Sequence, residues 1–182
     1  MQEHSFITSP LVMLENTRNF LPRENNAVFF NIGGEITEIG VIENDSLSFF
    51  VTFPVGIHDF LRIIQTNIKT YDYDLLYQKE IILKSSEQNE TLKHLKEKWF
   101  ELVIQSLGLF SKHIPNKFII VTNTKTQLFF VNLLQEYIKQ RENEILKNMR
   151  IINFDISSLK DIITYKTPVG ENNLDLVLEA LI

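Results

Sequence analysis

Residues suited to gripping an anion cluster in one early stretch of this chain. Residues 27–56, AVFFNIGGEITEIGVIENDSLSFFVTFPVG, hold an apolar run and then Asn31, Gly33, Gly34, Glu35 and Thr37. Two further apolar runs and a Pro-Val-Gly exit follow. Gly33 and Gly34 carry no Cβ, so backbone N–H groups in their turn can approach a phosphate closely. Asn31 and Thr37 are the side chains that could touch the same ligand. The bland readings stand beside these. Two glycines also suit a plain tight hairpin, and Asn31 suits a buried amide satisfied by the neighbouring loop. Glu35 and Glu38 could serve as an acid–base pair or as metal ligands. At i and i+3 in a strand they face opposite sides, which favours a solvated pair instead.

Other chemistry-bearing residues are more scattered. Asp155 follows the last apolar run, where ligands gather at strand ends, but it can equally cap a turn with Ser157 and Ser158. His4, His58, His94 and His113 show no metal-ligand spacing and read as surface or helix-face residues. Lys93, Lys96 and Lys98 alternate with Glu90, Glu97 and Glu101, which makes a mixed solvated face rather than a basic patch. Tyr71, Tyr73 and Tyr77 fall outside the clear pattern; they suit either a docking surface or the packing of a small lobe. There is no cysteine, so neither a disulfide framework nor thiol chemistry is available. The net charge of −5 disfavours a nucleic-acid partner.

The elements that must position these residues follow from hydrophobic period. The chain of 182 residues, 44% hydrophobic, suits one ordinary domain with a sizeable core. Residues 1–26 form an N-terminal segment, with Ser9-Pro10 opening a short helix through Leu11, Leu14 and Arg18. Val28–Ile32 is apolar throughout and predicts a central strand buried on both faces. Glu35–Glu43 is a second strand, and Asn44-Asp45 is turn chemistry. Leu47, Phe49, Val51 and Phe53 alternate with Ser48, Phe50 and Thr52, which marks a third strand with one buried face. Short connections make the three an antiparallel meander. Ile57, Phe60, Leu61, Ile64 and Ile68 then take helical spacing. Residues 69–89 are a lobe or connecting segment. A long amphipathic helix runs from Glu90 to about Phe110 and ends at His113–Asn116. Phe118–Val121 is another buried strand. Thr122–Lys125 reads as a loop, and a helix covers Thr126 to about Arg141. Ile151–Phe154 is a short strand. A helix with Asn172 as its N-cap closes the chain.

This order is β-β-β-α-(α)-β-α-β-α, and three meandering strands followed by alternating helix and strand is the order of the ribonuclease H-like fold. The expected architecture is therefore α/β: a three-layer fold with a mixed five-stranded sheet. Its three antiparallel strands come first and its parallel strands follow, all within a single domain over residues 27–182. MQEHSFITSP lacks the basic start and apolar run of a signal peptide. No window approaches the ~18 apolar residues of a spanning helix. The expectation is a cytoplasmic protein with no direct membrane insertion.

Asn31-Ile32-Gly33-Gly34-Glu35-Ile36-Thr37-Glu38 resembles the second phosphate loop of the actin-like ATPases, Asp-x-Gly-Gly-Gly-Thr-Thr-Asp. The spacing to Phe53-Pro54-Val55-Gly56 is similar to that of the FtsA/PilM branch, whose members serve cell division and pilus assembly. Ile119–Leu128 sits where that superfamily has a strand leading to a Gly-rich adenosine loop. Leu174–Ile182 looks like its closing helix. The resemblance covers residues 27–182, the second half of an actin-like molecule. It implies ATP and Mg²⁺ as cofactors, with Asn31, Gly33, Gly34, Glu35, Thr37, Asn123 and Thr124 as the nucleotide-binding positions.

Several letters depart from the family pattern. Asn31 stands where the family's carboxylate helps place metal and water. Glu35 replaces a third glycine and brings bulk and negative charge toward a phosphate. Asn123, Thr124 and Lys125 replace the glycines of the adenosine loop. The resemblance therefore implies a degenerate actin-like domain: a scaffold or assembly partner at the inner face of the cytoplasmic membrane, without ATP hydrolysis. No catalytic residue and no metal ligand is assigned. Its partners would be proteins of a membrane-associated assembly, with self-association as a further option. Two alternatives remain. One is half of an active ATPase that binds Mg-ATP against a missing first half. The other is a nuclease of the same fold, which Asn31 in place of an acid disfavours.

Overall fold

The computed structural model describes Pro10, Leu14 and residues 26–69, 89–110, 113–122, 124–140 and 149–153. Its elements are β1 (Ala27–Ile32), β2 (Thr37–Glu43), β3 (Ser46–Phe53), α1 (Ile57–Ile68), α2 (Glu90–Gly108), β4 (Lys117–Thr122), α3 (Thr124–Gln140) and β5 (Arg150–Asn153). The five strands form one sheet in the order β3-β2-β1-β4-β5. β1 is antiparallel to β2, and β2 to β3, while β4 is parallel to β1 and β5 to β4. This is the expected mixed sheet with an apolar β1 at its centre. Phe29 pairs with Ile119 and Phe30 with Ile120 on adjacent, co-directional strands.

The meander closes through local turn chemistry. Asn44 and Asp45 both take positive φ, at 51° and 58°, so β2 and β3 are joined by a two-residue turn of type I′. Short polar side chains tolerate that region better than most. The Asn44 N–H donates to Asn26 Oδ1 at 3.0 Å, which ties the turn to the entry of β1.

Register then divides the side chains between two faces. Val28, Phe30, Ile32, Ile39, Val41, Phe118 and Ile120 join one core with the inward sides of α1, α2 and α3. Ile57, Phe60, Leu61 and Ile64 come from α1, Leu92, Trp99, Val103 and Leu107 from α2, and Phe130, Leu133 and Leu134 from α3. Burying each such side chain contributes about 1.5–3 kcal/mol before entropy is counted. Ala27, Phe29, Ile42, Ile119 and Val121 alternate with these and are buried too. The sheet is thus buried on both of its faces. On that second face Gly40 lies directly across from Phe29. A Cβ there would stand 2.1 Å from Phe29 Cζ, so the glycine makes room for the ring.

Three expectations are corrected. β2 begins at Thr37 rather than Glu35, because residues 33–36 are spent on the turn. Leu47 does not share a face with Phe49, Val51 and Phe53. Leu47 pairs with Ile42 and Phe49 with Val41, so Ser48 is the extra residue of a bulge that reverses the alternation. Thr122 belongs to β4, and α3 starts at Thr124, so the four-residue loop expected at 122–125 is not there. Asn89 caps α2, its Oδ1 accepting the Leu92 N–H at 3.0 Å.

Pro10 and Leu14 are helical and Leu14 is buried. The rest of the expected first helix lies outside the described residues. So do the lobe within 70–88 with its three tyrosines, His4, Asn123, Phe154, Asp155, Ser157, Ser158 and the closing helix at Asn172 and beyond. Among the described residues, no helix is long and apolar enough to cross a membrane.

Candidate functional site

The turn between β1 and β2 sits at the C-terminal end of β1, beside the N-terminus of α1. It is shaped by backbone bonds. The Gly33 N–H donates to the Ile36 carbonyl at 2.9 Å and closes the turn. The carbonyls of Gly33 and Gly34 point to α1, where they accept the N–H groups of Ile57 and His58 at 2.9 and 2.8 Å. A helix N-terminus has orphan donors that need acceptors. Here the diglycine turn supplies them. The Gly56 N–H in turn donates to Asp59 Oδ2 at 2.9 Å, within the first turn of α1.

Glycine is needed here for close approach, not for backbone freedom, since none of the described glycines has positive φ. A Cβ on Gly56 would stand 2.5 Å from the Gly34 oxygen and 2.6 Å from the Gly33 oxygen. A Cβ on Gly34 would stand 2.8 Å from His58 Cε1. The pattern Gly-Gly with a later Pro-Val-Gly therefore encodes one junction, in which two backbone segments touch.

Thr37, expected as a phosphate contact, lies at the base of this turn. It is fully buried, and its hydroxyl donates to the Val55 carbonyl at 2.7 Å and accepts from Trp99 Nε1 at 3.0 Å. The hydroxyl links the base of the turn, the entry to α1 and the middle of α2. Trp99 was not foreseen as a partner. The signal was available, because a lone buried tryptophan needs an acceptor for its N–H.

Glu35 is exposed at the tip of the turn and reaches α1. Its Oε2 accepts from Arg62 Nη2 at 2.9 Å, and its Oε1 lies 3.3 Å from Arg62 Nη1 and 3.0 Å from His58 Nδ1. Arg62 Nη2 also donates to Asp59 Oδ1 at 3.0 Å. Hydrogen bonds from Arg62 and then His58 hold the Glu35 carboxyl below the usual carboxylate range. Hydrogen bonds to Glu35 first and to Asp59 second push the Arg62 guanidinium up. Arg62 and His58 were not singled out together in the sequence, although their i, i+4 spacing places both on one face of α1.

Asn31 and Glu38 face each other across β1 and β2, with Asn31 Nδ2 donating to Glu38 Oε2 at 2.7 Å. Asn31 is half-buried, as the bland reading has it, and its amide nitrogen is bonded to the neighbouring strand. Glu38 is only 8% exposed, so it is not half of a solvated pair with Glu35. The late start of β2 accounts for this, since it puts Glu38 into the ladder and leaves Glu35 in the turn. Among the described residues, no three of His, Asp and Glu stand where they could share a metal ion.

The strand-to-helix junction at the end of β4 lies beside the same end of β1. Thr122 Oγ1 donates to the Ile32 carbonyl at 2.9 Å and lies 3.4 Å from Thr126 Oγ1. Gln127 Nε2 donates to the Ile120 carbonyl at 3.0 Å. Thr124 is the first residue of α3, and Asn123 lies outside the described residues. The structure thus brings Asn31, Gly33, Gly34, Glu35 and Thr37 to one end of the sheet. It directs their polar groups largely into protein contacts.

No protein-family model matches the chain. No curated protein matches it either. Solved structures do. The chain is 14% identical to the match in the PilM–PilN type IV pilus biogenesis complex, with a TM-score of 0.61. That match covers 85% of this chain and 44% of the other. It is 15% identical to the activator of the 2-hydroxyisocaproyl-CoA dehydratase from Clostridium difficile with bound ADPNP, with a TM-score of 0.51. That match covers 84% of this chain and 62% of the other. Identities this low speak to fold alone. The fold is that of the actin-like ATPases, of ribonuclease H-like type. The pilus protein among the matches lies in the branch that the loop spacing resembles, and this chain spans less than half the length of that match.

Proposed function

We propose that this chain is a degenerate actin-like domain that acts as a scaffold or assembly partner in a membrane-associated machine of the pilus or cell-division type, without ATP hydrolysis. One observation carries the reading: the diglycine turn is fastened to α1, and its carbonyls take up the first N–H groups of that helix. Its two carbonyls cap Ile57 and His58, its Gly33 N–H closes the turn, and Thr37 is buried beneath it. A phosphate cradle needs free N–H groups and positive potential. The tip of this turn instead carries the Glu35 carboxylate, paired with Arg62 and 61% exposed. Asn31, bonded to Glu38, supplies no carboxylate of its own for Mg²⁺.

A likeness to a pilus protein seen in complex with PilN supports a protein partner of that kind, acting at the inner face of the cytoplasmic membrane. The test has two arms. Thermal unfolding is followed in millimolar Mg-ATP, where a ligand at 100 times its dissociation constant adds about 2.7 kcal/mol of stability. The expected result is no shift and no phosphate release. A shift that disappears on disrupting Gly34 or Asn31, with the fold retained, favours the other reading: half of a working ATPase whose nucleotide lies against a second half. The second arm tests capture of the cytoplasmic segment of a PilN-like membrane protein. Failure to bind any such segment counts against the scaffold role.

A further inference from the structure

Among the described residues β3 is one edge of the sheet, and its side chains are unlike those of its neighbours. β1 and β2 are buried along nearly their whole length, on both faces. On β3, Leu47, Phe49, Phe50 and Val51 are each only half-buried. They also divide between the faces: Phe49 and Val51 pack against the helix core, while Leu47 and Phe50 follow Ile42 and Gly40 to the other side. An ordinary edge strand shows one apolar and one polar face. This one leaves apolar side chains partly exposed on both, which one further strand would help to cover.

The usual protections of an edge are also sparse. Natural edge strands carry lysines, prolines or inward charges that stop pairing with another chain. From Ser46 through Phe53 there is no charged residue and no proline, and the exposed positions are the neutral Ser46, Ser48 and Thr52. The bulge at Ser48 disturbs only the first part of the strand, so Phe49–Phe53 remains regular. Among the described residues, no strand pairs with the outer side of β3.

We propose that β3 is a self-association edge, on which β3 of a second copy adds in antiparallel sense along Phe49–Phe53. The occupant must be uncharged, extended over that length and apolar on both faces, and β3 is itself such a strand. A two-fold axis normal to the sheet makes the contact isologous, so one patch serves both copies. Centring on Val51 puts Phe49 opposite Phe53 of the other copy on the helix face. It puts Phe50 opposite Thr52 on the other face. Like faces then meet, and aromatic and β-branched pairs face each other across the strands. The edge stands whether or not nucleotide binds.

Sedimentation velocity on the whole chain, from micromolar to near-millimolar concentration, is the test. A reversible monomer–dimer equilibrium is expected. Thr52→Lys changes an exposed side chain, and its fold is verified by circular dichroism and the emission of Trp99. It is expected to raise the dimer dissociation constant at least about tenfold, as lysine does on protected edges. Ser46→Lys, on the same strand beyond the paired stretch, is expected to change it by less than about twofold, as for exposed sites generally. A chain that stays monomeric throughout, or a dimer equally strong in Thr52→Lys, overturns the proposal. Amide exchange decides the remaining case. Amides of β3 are expected to gain protection as concentration rises. Protection that is complete at every dilution means that the edge is already covered within one chain, which also overturns it.

Discussion

Substituting Gly56 by alanine probes the junction on which the functional reading rests. Gly56 has φ −135° and ψ −167°, an extended conformation that alanine adopts freely, so contact rather than backbone preference decides the outcome. The added Cβ meets two carbonyl oxygens at 2.5 and 2.6 Å, and neither is the movable end of a side chain. Relief requires the diglycine turn to withdraw from α1. That breaks the bonds from Ile57 and His58, at a net cost of about 1 kcal/mol each. Residual overpacking adds about 1–3 kcal/mol. The expected loss is about 3–5 kcal/mol, a large share of a stability of about 5–15 kcal/mol. For a chain of this length it lowers the melting temperature by about 10 °C. Urea unfolding read by Trp99 emission and by circular dichroism measures it. Gly108→Ala is the control, since a Cβ there meets nothing within 4 Å. In the last turn of α2 it is expected to stabilise by up to about 1 kcal/mol through helix propensity. Glycine's advantage over alanine at an N-cap is worth less than about 1 kcal/mol. A Gly56→Ala loss no larger than that would refute the claim that turn and helix are held by touching backbones.

Three further outcomes are expected. Thr37→Val strands the Val55 carbonyl and the Trp99 N–H in the core. It should cost about 2–4 kcal/mol in chemical denaturation while Thr37→Ser costs far less; equal losses would mean that the methyl, not the hydroxyl, matters. Gly40→Ala drives a methyl into the Phe29 ring and should destabilise by about 1–3 kcal/mol, with partial recovery on adding Phe29→Leu. A double mutant whose losses simply add would remove that ring from the explanation. The third outcome concerns acid. Glu35 has a lower pKa folded than unfolded, so its contribution is present above the unfolded value of about 4.5 and lost as pH falls through the folded one. Glu35→Gln should flatten that part of the stability–pH curve, and an unchanged slope would show that the pairs with Arg62 and His58 are not stabilising.

Much of the fold was legible in order and period. An apolar β1, a two-residue Asn-Asp turn and helical spacing at Ile57, Phe60, Leu61 and Ile64 are local signals, and each became the element it announced. The pairing of Phe30 with Ile120 followed from two fully apolar runs, because only a central strand buries both faces. Boundaries were less legible. A bulge at Ser48 leaves the alternation of β3 looking intact, since the extra residue is seen only against a partner strand.

The site divides along the same line. Sequence alone determined that two glycines, an asparagine, two glutamates and a threonine crowd one turn, because chain neighbours stay neighbours in any fold. Tertiary structure decided where their polar atoms go. It turned the Gly33 and Gly34 carbonyls onto α1, buried the Thr37 hydroxyl against a tryptophan 62 residues away, and bent Glu35 over to Arg62. The physical reason is that a hydrogen bond takes whichever partner the packed chain brings within about 3 Å, and a local motif does not say which helix will arrive.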